Sequence, residues 1–79
     1  MYKYHLEFTL ETDKSCLTAL KSSIAGFGDD LQVHEIIPEE GNKNKDFKIH
    51  ISTLEPTIIF DLCAEFGRIK SVKINEERG

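Results

Sequence analysis

The stretch FKIHIS, Phe47 to Ser52, alternates strictly between apolar and polar residues. In an extended chain Phe47, Ile49 and Ile51 share one face while Lys48, His50 and Ser52 share the other. The same period recurs near the N-terminus, where Tyr2, Tyr4, Leu6, Phe8 and Leu10 alternate with Lys3, His5, Glu7 and Thr9. This predicts a half-buried strand over about 2 to 10. Cys16, Leu17, Leu20, Ile24 and Phe27 then recur at three-and-four spacing. That is an amphipathic helix, with Thr12 or Asp13 as N-cap and Gly26 and Gly28 to stop it. LQVHEII reads as a second strand ended by Pro38, and the polar run EEGNKNK supplies a hairpin-sized turn before the FKIHIS strand. Pro56 suits the first turn of a second helix. Ile58, Ile59, Leu62, Cys63 and Phe66 make its apolar stripe, and Gly67 ends it. RIKSVKI is a short last strand, and NEERG a charged tail expected to fray.

The order is therefore β-α-β-β-α-β. Right-handed crossovers place both helices on one face of a four-stranded antiparallel sheet, with strands in the order four, one, three, two. This is an α+β ferredoxin-like sandwich, a single domain over residues 1–76 with a short charged tail at 77–79. The helix-covered face takes Tyr4, Leu6, Phe8, Val33, Phe47, Ile49, Ile51, Val72 and Ile74. Strand two falls at an edge, where Glu35 and Pro38 discourage indiscriminate pairing. The two strand-helix-strand halves echo one another loosely, without residue-level similarity.

The other sheet face is open. If the hairpin is symmetric about Asn42, Ile36 pairs with Lys48 and His34 with His50. His5, in the middle of the neighbouring first strand, then completes a row of three imidazoles. Directly opposed residues have Cβ atoms about 4.5–5.5 Å apart, and His5, His34 and His50 with an open fourth position would suit zinc or a similar divalent ion. The simplest account of the histidines is the alternation itself, since a one-sided sheet needs polar residues at every second position. A pH-sensitive interface is a third, because imidazole titrates near neutrality. Lys3, Lys48 and Lys73 oppose only Glu7 on this face, which is thus expected to be locally basic and to suit an anionic ligand or an acidic partner. His5, His34, Ile36, Lys48 and His50 are the candidate partner-binding residues, Ile36 being the one apolar group among them. No aromatic side chain has open-face parity, which argues against stacking single-stranded RNA.

A second candidate is the corner ETDKS. It delivers Thr12, Asp13, Lys14 and Ser15 to the start of the first helix, where unpaired amides favour an anion; ordinary capping explains the same residues. Cys16 and Cys63 have stripe parity and no evident base. The acidic pairs at 29–30, 39–40 and 76–77 fall in loops or tail, where solvated charge accounts for them. No catalytic residue is assigned, and the domain is expected not to be an enzyme.

Composition adds limits. A chain of 79 residues is one domain, and at this size it buries only about 60% of its unfolded surface. Its apolar (39%) and charged (30%) fractions are those of a soluble globule. A net charge of -4 argues against general nucleic-acid binding. No apolar run reaches the roughly 20 residues of a membrane span, and MYKYHLEF has no secretory pattern, so the cytoplasm is the expected compartment. Two isolated cysteines support neither a disulfide framework nor a structural zinc site.

The element order, the size and the LETDKS turn after the first strand resemble the ACT domains, small regulatory modules of ferredoxin-like fold, over Met1 to about Glu76. The resemblance implies a small effector bound at that turn, between two copies of the module. The Met-x-Cys-x-x-Cys motif of heavy-metal-associated domains is not present, nor is the turn arginine of acylphosphatases. The expectation is a non-catalytic regulatory module that binds a protein partner or a second copy through its open face or an edge strand, with a small-ligand or metal sensor as the alternative.

Overall fold

A computed structural model describes residues 2–36 and 45–78, side chains at 2, 77 and 78 excepted. Strand β1 (Tyr2–Thr12) leads through a 3-10 turn (Lys14–Cys16) into helix α1 (Leu17–Ala25), followed by β2 (Asp29–Ile36), β3 (Lys45–Thr53), α2 (Pro56–Phe66) and β4 (Arg68–Arg78). The strands form one sheet in the order β2-β3-β1-β4, every neighbouring pair antiparallel. The fold is the expected ferredoxin-like α+β arrangement.

The alternation in β1 and β3 places the core. Leu6, Phe8 and Leu10 of β1 and Ile49 and Ile51 of β3 are buried beneath Leu20 and Ile24 of α1 and Ile59 and Cys63 of α2. Each such side chain contributes roughly 1.5–3 kcal/mol by leaving water. Phe8 meets Phe60 of α2 edge to face, with ring centroids 5.3 Å apart.

Several boundaries differ from the sequence expectation. Strand β1 runs on to Thr12, which is buried and donates its hydroxyl to the Phe66 carbonyl at 2.7 Å. Asp13 caps the 3-10 turn rather than α1, accepting from the Ser15 amide at 3.0 Å. Phe27 lies past the end of α1 and is 49% exposed, because the chain leaves the helix at Gly26, one residue before the stripe would repeat. Asp29 and Asp30 open β2 instead of lying in a loop, with Asp30 left-handed (φ 56°) in a bulge between Asp29 and Gln32. Strand β4 continues to Arg78, opposite Tyr2, so most of the expected tail is paired; a bulge containing left-handed Ser71 (φ 54°) interrupts it. Val72 and Ile74, expected in the core, are 49% and 48% exposed. They stand on the outer strand of the sheet, where the two-helix layer gives only partial cover. Pro38 and the hairpin turn lie outside the described residues. Among those described, no helix is long and apolar enough to cross a membrane.

Candidate functional site: the open sheet face

Parity puts Lys3, His5, Glu7, Thr9 and Glu11 of β1 on the face away from the helices, with Asp46, Lys48, His50 and Ser52 of β3 beside them. The β2–β3 pairing is displaced by two residues from the symmetric one: His34 stands opposite Lys48, Ile36 opposite Asp46, and His50 opposite Gln32. An even displacement keeps every side chain on its face while changing its neighbour. His34 and His50 are therefore diagonal, with ring centroids 6.3 Å apart. Across β1, His50 faces Glu7, whereas His5 lies between Ser52 and Asn75. The expected row of three imidazoles is a staggered set. Among the described residues, no three metal-ligating side chains converge on one point.

The actual partners are different. Ser52, only 1% exposed, shares a 2.6 Å hydrogen bond with Nδ1 of His5. Glu7 Oε1 lies 3.5 Å from His50 Nε2 and 3.7 Å from Lys48 Nζ. Lys3 reaches Asp29 at 2.8 Å, and Lys70 bridges Glu11 at 2.9 Å and Asp46 at 3.2 Å. Hydrogen bonds from Glu11 and then Asp46 hold the Lys70 ammonium above its ordinary range. Lys3, Lys48, Lys70 and Lys73 are thus met by Glu7, Glu11, Asp29 and Asp46. The expected basic excess is absent from this face, because acids from neighbouring strands converge where a single strand shows only Glu7. Lys73 stands opposite Glu7 in the β1–β4 ladder, yet makes no ion pair among the described residues. A cavity of about 670 Å³ opens here, lined by His5, Glu7, Gln32, His50, Ser52 and Lys73 among others. Gln32 and Asn75 were not singled out from sequence, since alternation gives the face of a residue and not its neighbour across the ladder.

The ETDKS corner is a cap. Thr12 points into the protein and is spent on Phe66, which removes it as a ligand-binding residue. The Ser15 amide, with its hydroxyl, holds the Asp13 carboxyl below its usual range. Lys14 and Ser15 are exposed. At the β2 edge Lys45 reaches Glu35 at 2.9 Å, and its hydrogen bond lowers the Glu35 carboxyl likewise. A second cavity, of about 1040 Å³, lies between the end of α1 and the start of α2, lined by Phe27, Leu54 and Ile58 with Lys3 and Asp29 at its rim.

Comparison with known proteins places this geometry. No curated protein matches the chain. Among solved structures, it is similar to LarC2, the C-terminal domain of a cyclometallase involved in the synthesis of the NPN cofactor of lactate racemase, in its apo form. The TM-score is 0.62 at 10% identity, over 98% of this chain and 55% of that one, a likeness of fold alone. The chain thus spans about half the length of that structural relative. No ACT-domain assignment emerges. Residues 1–78 match the family model of the FakA-like middle domain, the middle domain of fatty acid kinase FakA-like proteins, and the chain belongs to that family.

Proposed function

We propose that this domain is a non-catalytic interaction module of a larger protein, presenting its open sheet face to a protein surface. The observation that carries the reading is the concave polar face itself, with the Lys73 ammonium opening into its cavity and making no ion pair among the described residues. A family defined by a middle domain supports a role inside a longer polypeptide. The nucleophile-like pair on this face, Ser52 with His5, speaks for structure, since a hydroxyl 1% exposed is closed to substrate. Lysine acetylation footprinting tests the proposal, comparing the purified chain with the same protein in cells. Lys48 and Lys73 should lose reactivity in the cell while Lys21, exposed on α1, keeps it. Equal reactivity at all three would sink the idea.

A divalent-metal or small-ligand sensor on the same face is the second reading. It is favoured by the approach of His50 to Glu7 at 3.5 Å, with His5 two residues from Glu7 along the same strand face. Two imidazoles and a carboxylate are a donor set that suits zinc or a similar ion once side chains rotate. Added zinc should then raise the melting temperature. Replacing His5 and His50 together by glutamine should abolish the rise, and a rise that persists places the ion elsewhere.

A further inference from the structure

The two edges of the sheet are built differently. Strand β2 carries ion pairs at both ends, Asp29 with Lys3 and Glu35 with Lys45, and a left-handed Asp30. Charge and a bulge are the usual protections of an unpaired edge. Strand β4 has a bulge at Ser71, but beyond it the run from Lys73 to Glu76 is regular ladder against β1. On its helix side this segment shows Val72 and Ile74, each about half exposed (49% and 48%), so an unpaired edge and an apolar strip coincide.

We infer that this edge pairs with the same edge of a second copy, joining two four-stranded sheets into one of eight strands. Twofold antiparallel pairing brings identical segments together, and the register follows from the side chains. With Lys73 on the axis, two ammonium groups would face each other, which opposed pairs disfavour. With Val72 on the axis, the left-handed Ser71 falls inside the new ladder. With Ile74 on the axis, Ile74 meets Ile74 of the second copy, Lys73 meets Asn75, and Val72 meets Glu76. No like charges are opposed, and the Val72 and Ile74 side chains of both copies form one apolar strip beside the helix layer. The contact is smaller than the roughly 20–30 residues a side of a standard interface. The dimer is therefore reversible and concentration-dependent.

Sedimentation of the chain across a wide concentration range tests this. The expected result is a monomer–dimer equilibrium that Ile74→Lys abolishes and Ile36→Asp, on the β2 edge, leaves unchanged. Monomer at every concentration, or dimer retained in Ile74→Lys, overturns the inference. Should Ile74→Lys lose its fold by circular dichroism, Ile74→Cys decides instead. Mild oxidation should link two such chains through that position, beyond any background from Cys16 seen in the unaltered chain, whereas Lys70→Cys should stay at background. Linkage no greater at 74 than at 70 overturns the register. These outcomes are independent of the open-face footprint, because they follow the strand edge and not Lys48 or Lys73.

Discussion

Thr12 and Thr53 occupy equivalent places in the two halves of the chain. Each ends a central strand, each is 2% exposed, and each donates its hydroxyl to the carbonyl of a phenylalanine just past or at the end of a helix: Thr12 to Phe66 at 2.7 Å, Thr53 to Phe27 at 2.6 Å. A glycine follows each phenylalanine and lies against the partner strand, Gly67 at Glu11 and Gly28 at Ser52. The loose echo of strand-helix-strand is thus a repeated clamp, in which the central strand of one half ties down the helix end of the other.

Removing either clamp has a defined cost. Thr12→Val and Thr53→Val keep the shape and leave a carbonyl without its hydroxyl partner, a loss of about 1–2 kcal/mol each. Urea denaturation should show the midpoint falling with an unchanged slope, and Thr→Ser at either site should recover most of the loss.

The glycines predict opposite responses. A Cβ at Gly67 would run into the Glu11 carbonyl, and one at Gly28 would come within 2.7 Å of the Ser52 carbonyl, so neither finds room without backbone movement. Gly67→Ala and Gly28→Ala should each destabilise by about 1–3 kcal/mol. Gly26 has nothing within 4 Å and right-handed backbone angles, so Gly26→Ala should be neutral or stabilising by up to about 1 kcal/mol. Thermal melts of the three variants give the order directly.

Burial pushes the Cys63 thiol up from 9.0 to about 12. The unfolded chain would ionise this group above pH 9.0 while the native one keeps its proton, so unfolding releases a proton and stability falls as pH rises from 9.0 towards 12. Cys63→Ala, though less stable near neutrality because of its cavity, should lack that share of the alkaline decline. Identical slopes in the two proteins would count against the burial. In alkylation experiments Cys16, half-buried, should react well before Cys63.

The Lys70 bridge links three strands through Glu11 of β1 and Asp46 of β3. Because its ammonium is held above 10.5, the stabilisation is complete below that pH and is lost as pH rises through the elevated value. Lys70→Met should destabilise at neutral pH, more at low salt than at high, since exposed pairs are screened. Lys73→Met, which breaks no ion pair among the described residues, should show little salt dependence. Melting temperatures over a salt series separate the two.

Much of this protein was determined locally. Period-two alternation fixed the inward faces of β1 and β3, three-and-four spacing fixed both helices, and the order of elements with right-handed crossovers fixed the strand order, because each rests on the geometry of one segment at a time. Tertiary structure alone decided which residues meet. The shift that set His34 opposite Lys48 leaves the alternation untouched, so no periodicity could reveal it. The convergence of Glu11 and Asp46 on Lys70 joins residues far apart in the chain, as does the bond from Thr12 to Phe66. Val72 and Ile74 have core parity, but parity says only which side of the sheet a residue takes. Whether a helix lies over that side depends on how far a two-helix layer extends across four strands, and here its cover of the outermost strand is only partial.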